Sequence, residues 1–234
     1  MNLRQRDMAF SRPGSRSITD FMNRVYAWMT LGIFITGIVS YTVGNNAELA
    51  ASIFQNQLLF WMLIIVQFGA VIFLSTMINR ISVAAAAITF LMYSALTGLT
   101  LSMIFLLYTQ QSIATAFATT ACGFAGLSIY GYTTKRDLGP IGAFCMMGLF
   151  GLIALMILAI FIPGLSSNSM QITFSVAGLV IFAGLTAYDT QRIKALANLS
   201  GNTQGQQAIY GALVLYLDFI NLFLNLMRLM GDRR

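Results

Sequence analysis

From residue 81 to residue 134 the chain carries no charged side chain, and it carries none again from residue 138 to residue 188. About 20 consecutive apolar residues are enough to cross a bilayer as a helix. Each of these charge-free runs has room for two crossings with a polar turn between them, Thr109-Gln110-Gln111-Ser112 in the first and residues 163–171 in the second. In hydrocarbon every backbone N–H and C=O must be satisfied by the spanning structure itself, which leaves only helices and closed barrels. The two-residue alternation of barrel strands is missing, so helices are expected. The composition agrees: 58% of residues are hydrophobic and 9% charged, against about 25% charged in soluble domains. Little chain is left for a water-soluble domain.

Seven spans are expected, at residues 25–43, 58–78, 83–108, 113–132, 141–162, 172–189 and 208–227, giving an all-α polytopic membrane protein. Residues 1–24 are polar and Arg-rich and read as a disordered cytoplasmic tail before an uncleaved first span. Residues 25–230 form one seven-helix domain, and 231–234 a short C-terminal tail. The basic residues orient the bundle. Arg4, Arg6, Arg12, Arg16 and Arg24 precede span one, Arg80 follows span two, Lys135 and Arg136 follow span four, and Arg192 and Lys194 follow span six. All fall on one side, read as cytoplasmic, while the intervening loops carry only Glu48. That topology also accounts for the net charge of +6 without any nucleic-acid partner. Arg228, Arg233 and Arg234 conflict with it; span seven is expected to cross despite them.

The chain has no histidine, which excludes histidine-based zinc sites, triads and imidazole switches. No Walker, GxSxG or dinucleotide motif occurs, so no enzyme is expected. Cys122 and Cys145 lie in apolar spans and read as small buried hydrophobes. Two carboxylates stand out. Asp189 closes span six and Asp218 interrupts span seven, where a charge is expensive and usually paired, hydrated or functional. Gly211, Asp218, Asn221 and Asn225 fall on one face of span seven at 100° per residue. Such a stripe is either a hydrogen-bonded seam that fixes helix register or one wall of an ion path; a seam needs no carboxylate. In span four, Ala118, Cys122 and Gly126 form a small-xxx-small row expected to admit a close neighbour. Ser94, Thr97, Thr100 and Ser102 in span three read as a packing surface or a hydrated lining. Gly98-Leu99-Thr100 is echoed by Gly184-Leu185-Thr186, and spans one to three and four to six start on opposite sides, as an inverted three-plus-three repeat would require.

The runs AYDTQ at residues 187–191 and LYLDFINLFL at residues 215–224 resemble the two acidic motifs of the Bax inhibitor-1 (TMBIM) family. YSALTGLTLS at 93–102 and YGYTTKRDL at 130–138 resemble its bacterial branch. The resemblance implies a bacterial inner-membrane, multi-pass protein whose last helix is enclosed by the other six. It implies a pH-sensitive calcium leak with Asp189 and Asp218 as proton sensor and weak Ca2+ site, and Arg80 as a latch on Asp189. Thr186, Asn221 and Asn225 are the path-lining candidates. No tightly bound cofactor is expected; Ca2+ would be the permeant ion. Ionised Asp189 paired with Arg80 would close the cytoplasmic mouth, and protonation would release it. Other readings are a regulator of membrane partners, such as a membrane-bound protease, and an intramembrane hydrolase with an aspartate dyad, which lacks a supporting GxGD-like motif. The two aspartates meet only if span six continues through residues 191–196 and span seven starts near Gln204.

Overall fold

The computed structural model describes residues 15–162, 167–197 and 203–232. Its helices are α1 (Ser15–Gly44), α2 (Ala47–Phe54), α3 (Gln57–Met77), α4 (Val83–Leu101), α5 (Met103–Leu107), α6 (Gln110–Thr133), α7 (Gly139–Phe161), α8 (Asn168–Leu196) and α9 (Gln204–Met230). Seven segments are long and apolar enough to cross a membrane, with α4 and α5 together forming one of them. Short polar residues set the helix starts by accepting from orphan N–H groups of the first turn. Asn46 accepts from Glu48 and Leu49, Asn56 from Leu59, Ser82 from Ala85, and Thr109 from Ser112, all at 3.1–3.2 Å.

The first helix begins earlier than expected. Residues 15–24 are helical rather than a tail, and Phe21 and Met22 are buried against the core; residues 1–14 lie outside the described residues, as do 163–166, 198–202 and 233–234. Two apolar side chains one helical turn below Val25 have a core to bury in, which extends the helix past the hydrocarbon boundary.

The loops gather at two ends. At one, Gln206 donates to the Ile81 carbonyl, Gln207 to Asn79, Lys194 to the Tyr132 carbonyl, and Gln191 to the Arg136 carbonyl. This is the basic end. At the other, Gln110 donates to Asn45, and Asp232 pairs by backbone and side-chain bonds with Thr109 and Ser112. The last helix therefore crosses, and the described C-terminal residues sit opposite the start of α1.

α9 is the centre. In its most apolar window 67% of residues are buried, against 11% in α3 and in α7. α1, α4, α6 and α8 all pack on it, while α3 rests chiefly on α4 and α7 on α8. Tyr216 of α9 is fully buried, edge-on to Phe90 and Tyr93 at centroid separations of 5.7 and 5.8 Å. Thr36 of α1 donates to the Ser94 carbonyl at 2.8 Å, so Tyr216 donates to Thr36, 2.6 Å away. The pairing follows the inverted pattern: α4 packs on α1 and α3, and α8 packs on α6 and α7. The echoed glycines, however, meet non-equivalent neighbours, Gly98 against α1 and Gly184 against Cys145 of α7.

Three sequence expectations are refined. Ala118, Cys122 and Gly126 face outward: Ala118 and Cys122 are exposed, and a side chain added at Gly126 would meet nothing within 4 Å. The small-residue spacing was real, but the buried row of α6 is Ala116, Thr120, Phe124, Ser128 and Gly131. Cys122 is accordingly not a buried hydrophobe, whereas Cys145 is. The hydroxyls of Ser94, Thr97, Thr100 and Ser102 donate to carbonyls three or four residues back on their own helix, which makes that surface a packing face.

The closest approach of α6 and α8 is at Gly131, where an added Cβ would collide with the Ala187 backbone carbonyl. Gly131→Ala should lower the stability of the purified protein by about 1–3 kcal/mol, as overpacking does. Gly123→Ala, in open space on the same helix, should not lower it. Thermal unfolding in detergent distinguishes these, and equal losses would mean that α6 and α8 do not meet there.

Candidate functional site: a buried pair of aspartates

Both continuations needed to bring the aspartates together are present, with α8 running to Leu196 and α9 starting at Gln204. Two close contacts fix the register of this antiparallel pair: Gly211 lies against Ile193, and Gly178 against Asn225. Interpolating between them puts Asp218 level with the Leu185–Thr186 step, and Asp189 about one turn, roughly 5 Å, nearer the basic end. Cα–Cβ bonds tilt toward a helix's own N-terminus. Asp218 therefore leans toward the basic end and Asp189 leans away from it, so the two carboxyl groups converge. Both are buried, 6% exposed for Asp189 and 4% for Asp218, and the charge of Asp189 acts on Asp218. Among the described residues, Asp218 Oδ2 is one of three fully buried side-chain polar atoms without a hydrogen-bond partner.

Each residue of the 187–191 run has a separate task. Ala187 gives α6 its close contact at Gly131, and the Tyr188 ring covers Gly142 of α7. Asp189 turns toward α9. Thr190 donates to the Thr186 carbonyl at 2.8 Å, so Ser128 must donate to Thr190 at 3.0 Å, and Tyr26 to Ser128 at 2.6 Å. Gln191 donates to the Arg136 carbonyl at 2.8 Å and accepts from the Leu138 N–H at 2.9 Å. That clamp ties the loop between α6 and α7 to the turn of α8 that carries Asp189. Neither the Gln191 clamp nor the Thr190 hydroxyl chain was anticipated. The unbroken polar run after Asp189 was the available signal for both.

Arg80 does not take the latch position in this structure. It is exposed in the loop between α3 and α4, whereas Asp189 lies about 10 Å inside the end of α8. The cation that acts on Asp189 is Arg192, three residues further along α8, at helical i,i+3 spacing.

The remaining candidates lie close by. Thr186 is fully buried and donates to the Phe182 carbonyl. Asn221 and Asn225 donate their amides to carbonyls four residues back on α9. Of these, Asn225 is buried and Asn221 half-buried. No group of three or more acidic or cysteine ligands occurs among the described residues, so the acidic ligands the site offers a divalent cation are the two carboxylates. Two cavities of about 450 and 430 Å³ lie elsewhere, lined by none of Asp189, Asp218, Thr186, Asn221 and Asn225.

The fold and site define a polytopic helical membrane protein with an acidic pair enclosed by its helices. The family profile described as "Inhibitor of apoptosis-promoting Bax1" matches residues 18–234, and the chain belongs to the Bax inhibitor-1 family. It is 42% identical to "Inner membrane protein YbhL" of Escherichia coli K12 over 218 residues, 92% of each chain. It is 43% identical to an uncharacterized protein of Borreliella burgdorferi over 217 residues, also 92% of each. The protein YrjE of Lactococcus lactis is 37% identical over 220 residues.

A double-mutant cycle tests the convergence. Asp189→Asn, Asp218→Asn and the double variant should show a coupling free energy of about 0.5–3 kcal/mol in unfolding, as directly interacting groups do. Additive single effects would place the two carboxyl groups in separate environments.

Proposed function

We propose that this protein is a passive cation leak, with calcium as its cargo, whose conductance is set by protons on the Asp189–Asp218 pair. One observation carries the reading: a carboxylate on the most enclosed helix, with a partnerless buried oxygen and a second carboxylate beside it. Interhelical register is already fixed without a carboxylate, by the Tyr216–Thr36 bond and the close contact of Gly178 with Asn225. Two adjacent carboxylates repel when both are ionised, and either a proton or a cation relieves the repulsion. Protons and calcium therefore compete for the same place. Calcium takes six to eight oxygens when fully dehydrated. Two carboxylates hold it weakly, with most of its water retained, which suits an ion that must also leave.

Both carboxylates are buried in this conformation, so conduction requires movement. α3 and α7, each resting chiefly on one neighbour, are the helices freest to shift. The basic end faces the cytoplasm by the positive-inside rule. Arg192, on the same helix, favours the ionised form of Asp189, and protonation removes a charge from the turn of α8 that packs on α6, α7 and α9, which favours opening.

The test is calcium efflux from liposomes containing only the purified chain and a calcium indicator. Wild-type flux should rise from alkaline to mildly acidic pH. Asp189→Asn and Asp218→Asn should each flatten that response, and Arg192→Gln should displace the curve. If Arg80→Ala displaces it and Arg192→Gln does not, the latch belongs to Arg80. Absence of flux from the pure protein would overturn the reading in favour of a role exerted through a partner membrane protein.

A further inference from the structure

α1 and α6 both pack on α9, and side chains such as Tyr26 and Ser128 bridge them. The gap between them contains two cavities of about 450 and 430 Å³, sizes typical of small-molecule sites. The cavity nearer the basic end has an apolar body made by Met22, Met29, Phe124, Ala125 and Ile129. Its outer wall is open: Ala125 and Thr30 are exposed, and Ile129 is 64% exposed. In a protein that spans a membrane, an open apolar crevice at this position meets hydrocarbon rather than water.

The mouth at the basic end is chemically different. Thr19 and Asn23, one turn apart on α1, face Tyr132 of α6, and the Thr19 and Tyr132 hydroxyls are 3.5 Å apart. The Lys194 ammonium sits 4.6 Å from the centre of the Tyr132 ring and donates to the Tyr132 carbonyl at 2.7 Å. An ammonium has three donors, so it retains capacity for an anion. Arg24, Lys135, Arg136 and Arg192 share this end with Lys194. The acids there are Asp20, which is exposed, and Asp137, which accepts from the Gly139 N–H; neither lines the cavity, and Lys194 reaches its mouth through Tyr132 rather than lining it.

We propose that the α1–α6 crevice is a binding site for one anionic phospholipid, its acyl chain between Met22, Met29 and Phe124 and its phosphate at Thr19, Asn23, Tyr132 and Lys194. Two methionines suit such an occupant, because their flexible thioethers adapt to an irregular chain. The cationic mouth selects the charged headgroup over a zwitterionic one. Tyr26 and Ser128 line the far wall, and Ser128 bonds onward to Thr190, which follows Asp189 in sequence. The hydroxyl chain thus links the crevice wall to the turn of α8 that carries Asp189.

The experiment is native mass spectrometry of the full chain in neutral detergent, titrated with an equimolar mixture of phosphatidylglycerol and phosphatidylcholine bearing the same acyl chains. The expected result is one retained phosphatidylglycerol per chain, preferred about tenfold, the equivalent of one good charged contact. Lys194→Gln should remove that preference and Lys194→Arg should keep it. Ala125→Trp, which fills the crevice from its open side, should abolish retention. Ala118→Trp, on the exposed face of the same helix and outside both cavities, should not. Equal retention of the two lipids by the wild type, or equal retention by the two tryptophan variants, would overturn the proposal.

Discussion

The carboxylate of Asp218 has to be kept out of lipid, and the bundle is arranged around that demand. In hydrocarbon no hydrophobic force draws apolar helices together; close packing and polar contacts do. A helix with Gly211, Asp218, Asn221 and Asn225 on one face gains most by being surrounded. The most apolar helices gain least, and the structure sorts them accordingly. α3 and α7 have the highest mean hydropathy of the seven spans, 2.4 and 2.7, and are the least buried; α9, at 1.7, is the most buried. This reverses the ordering of a soluble protein, where the most apolar segments lie deepest.

The approach of Asp189 to Asp218 follows from helix geometry more than from any bond between them. Glycine at 211 and at 178 lets α8 and α9 pack closely at two points 14 residues apart on α9, and those points fix the register. The antiparallel tilt of the Cβ atoms then closes the remaining turn of offset. The same run of α8 is held from three sides, by Gly131 of α6, Gly142 of α7 and the Gln191 clamp. A change of charge at Asp189 is therefore applied to a turn that touches three other elements, which is how a local electrostatic event acquires a wider readout.

The seven spans and the common end of the basic residues were legible because charges mark where chain leaves hydrocarbon, and the chain has few of them. The ends of α8 were not. Arg192 and Lys194 mark the boundary of the apolar segment, but the helix runs on through the interface to Leu196, where Ile193 and Ala197 still find core to bury in. The outward-facing row at Ala118, Cys122 and Gly126 shows a second limit. Spacing identifies residues that share a face but does not say which face meets protein. Arg80 shows a third, since whether a loop arginine reaches a buried carboxylate depends on depth, and depth follows from tertiary register. The candidate pair itself was legible, because two acids inside apolar spans stand out against any such background.

The inverted pairing also explains where the bundle is loose. Within each half the crossings are tight, α1 on α4 and α6 on α8, with glycine at the closest points, Gly98 against α1 and Gly131 against α8. Between the halves α9 acts as the common filler. A single central helix cannot be complementary to both halves along its whole length, so a seam remains where α1 and α6 flank it. Phe117 and Phe124 of α6 pack edge-on against Phe219 of α9, at 5.6 Å in each case, and seal that seam from the core without closing it from the side. The crevice is thus a consequence of building six helices as two triplets around a seventh. It opens toward lipid because the outermost helices, α3 and α7, are attached to α4 and α8, on the other flanks of the bundle.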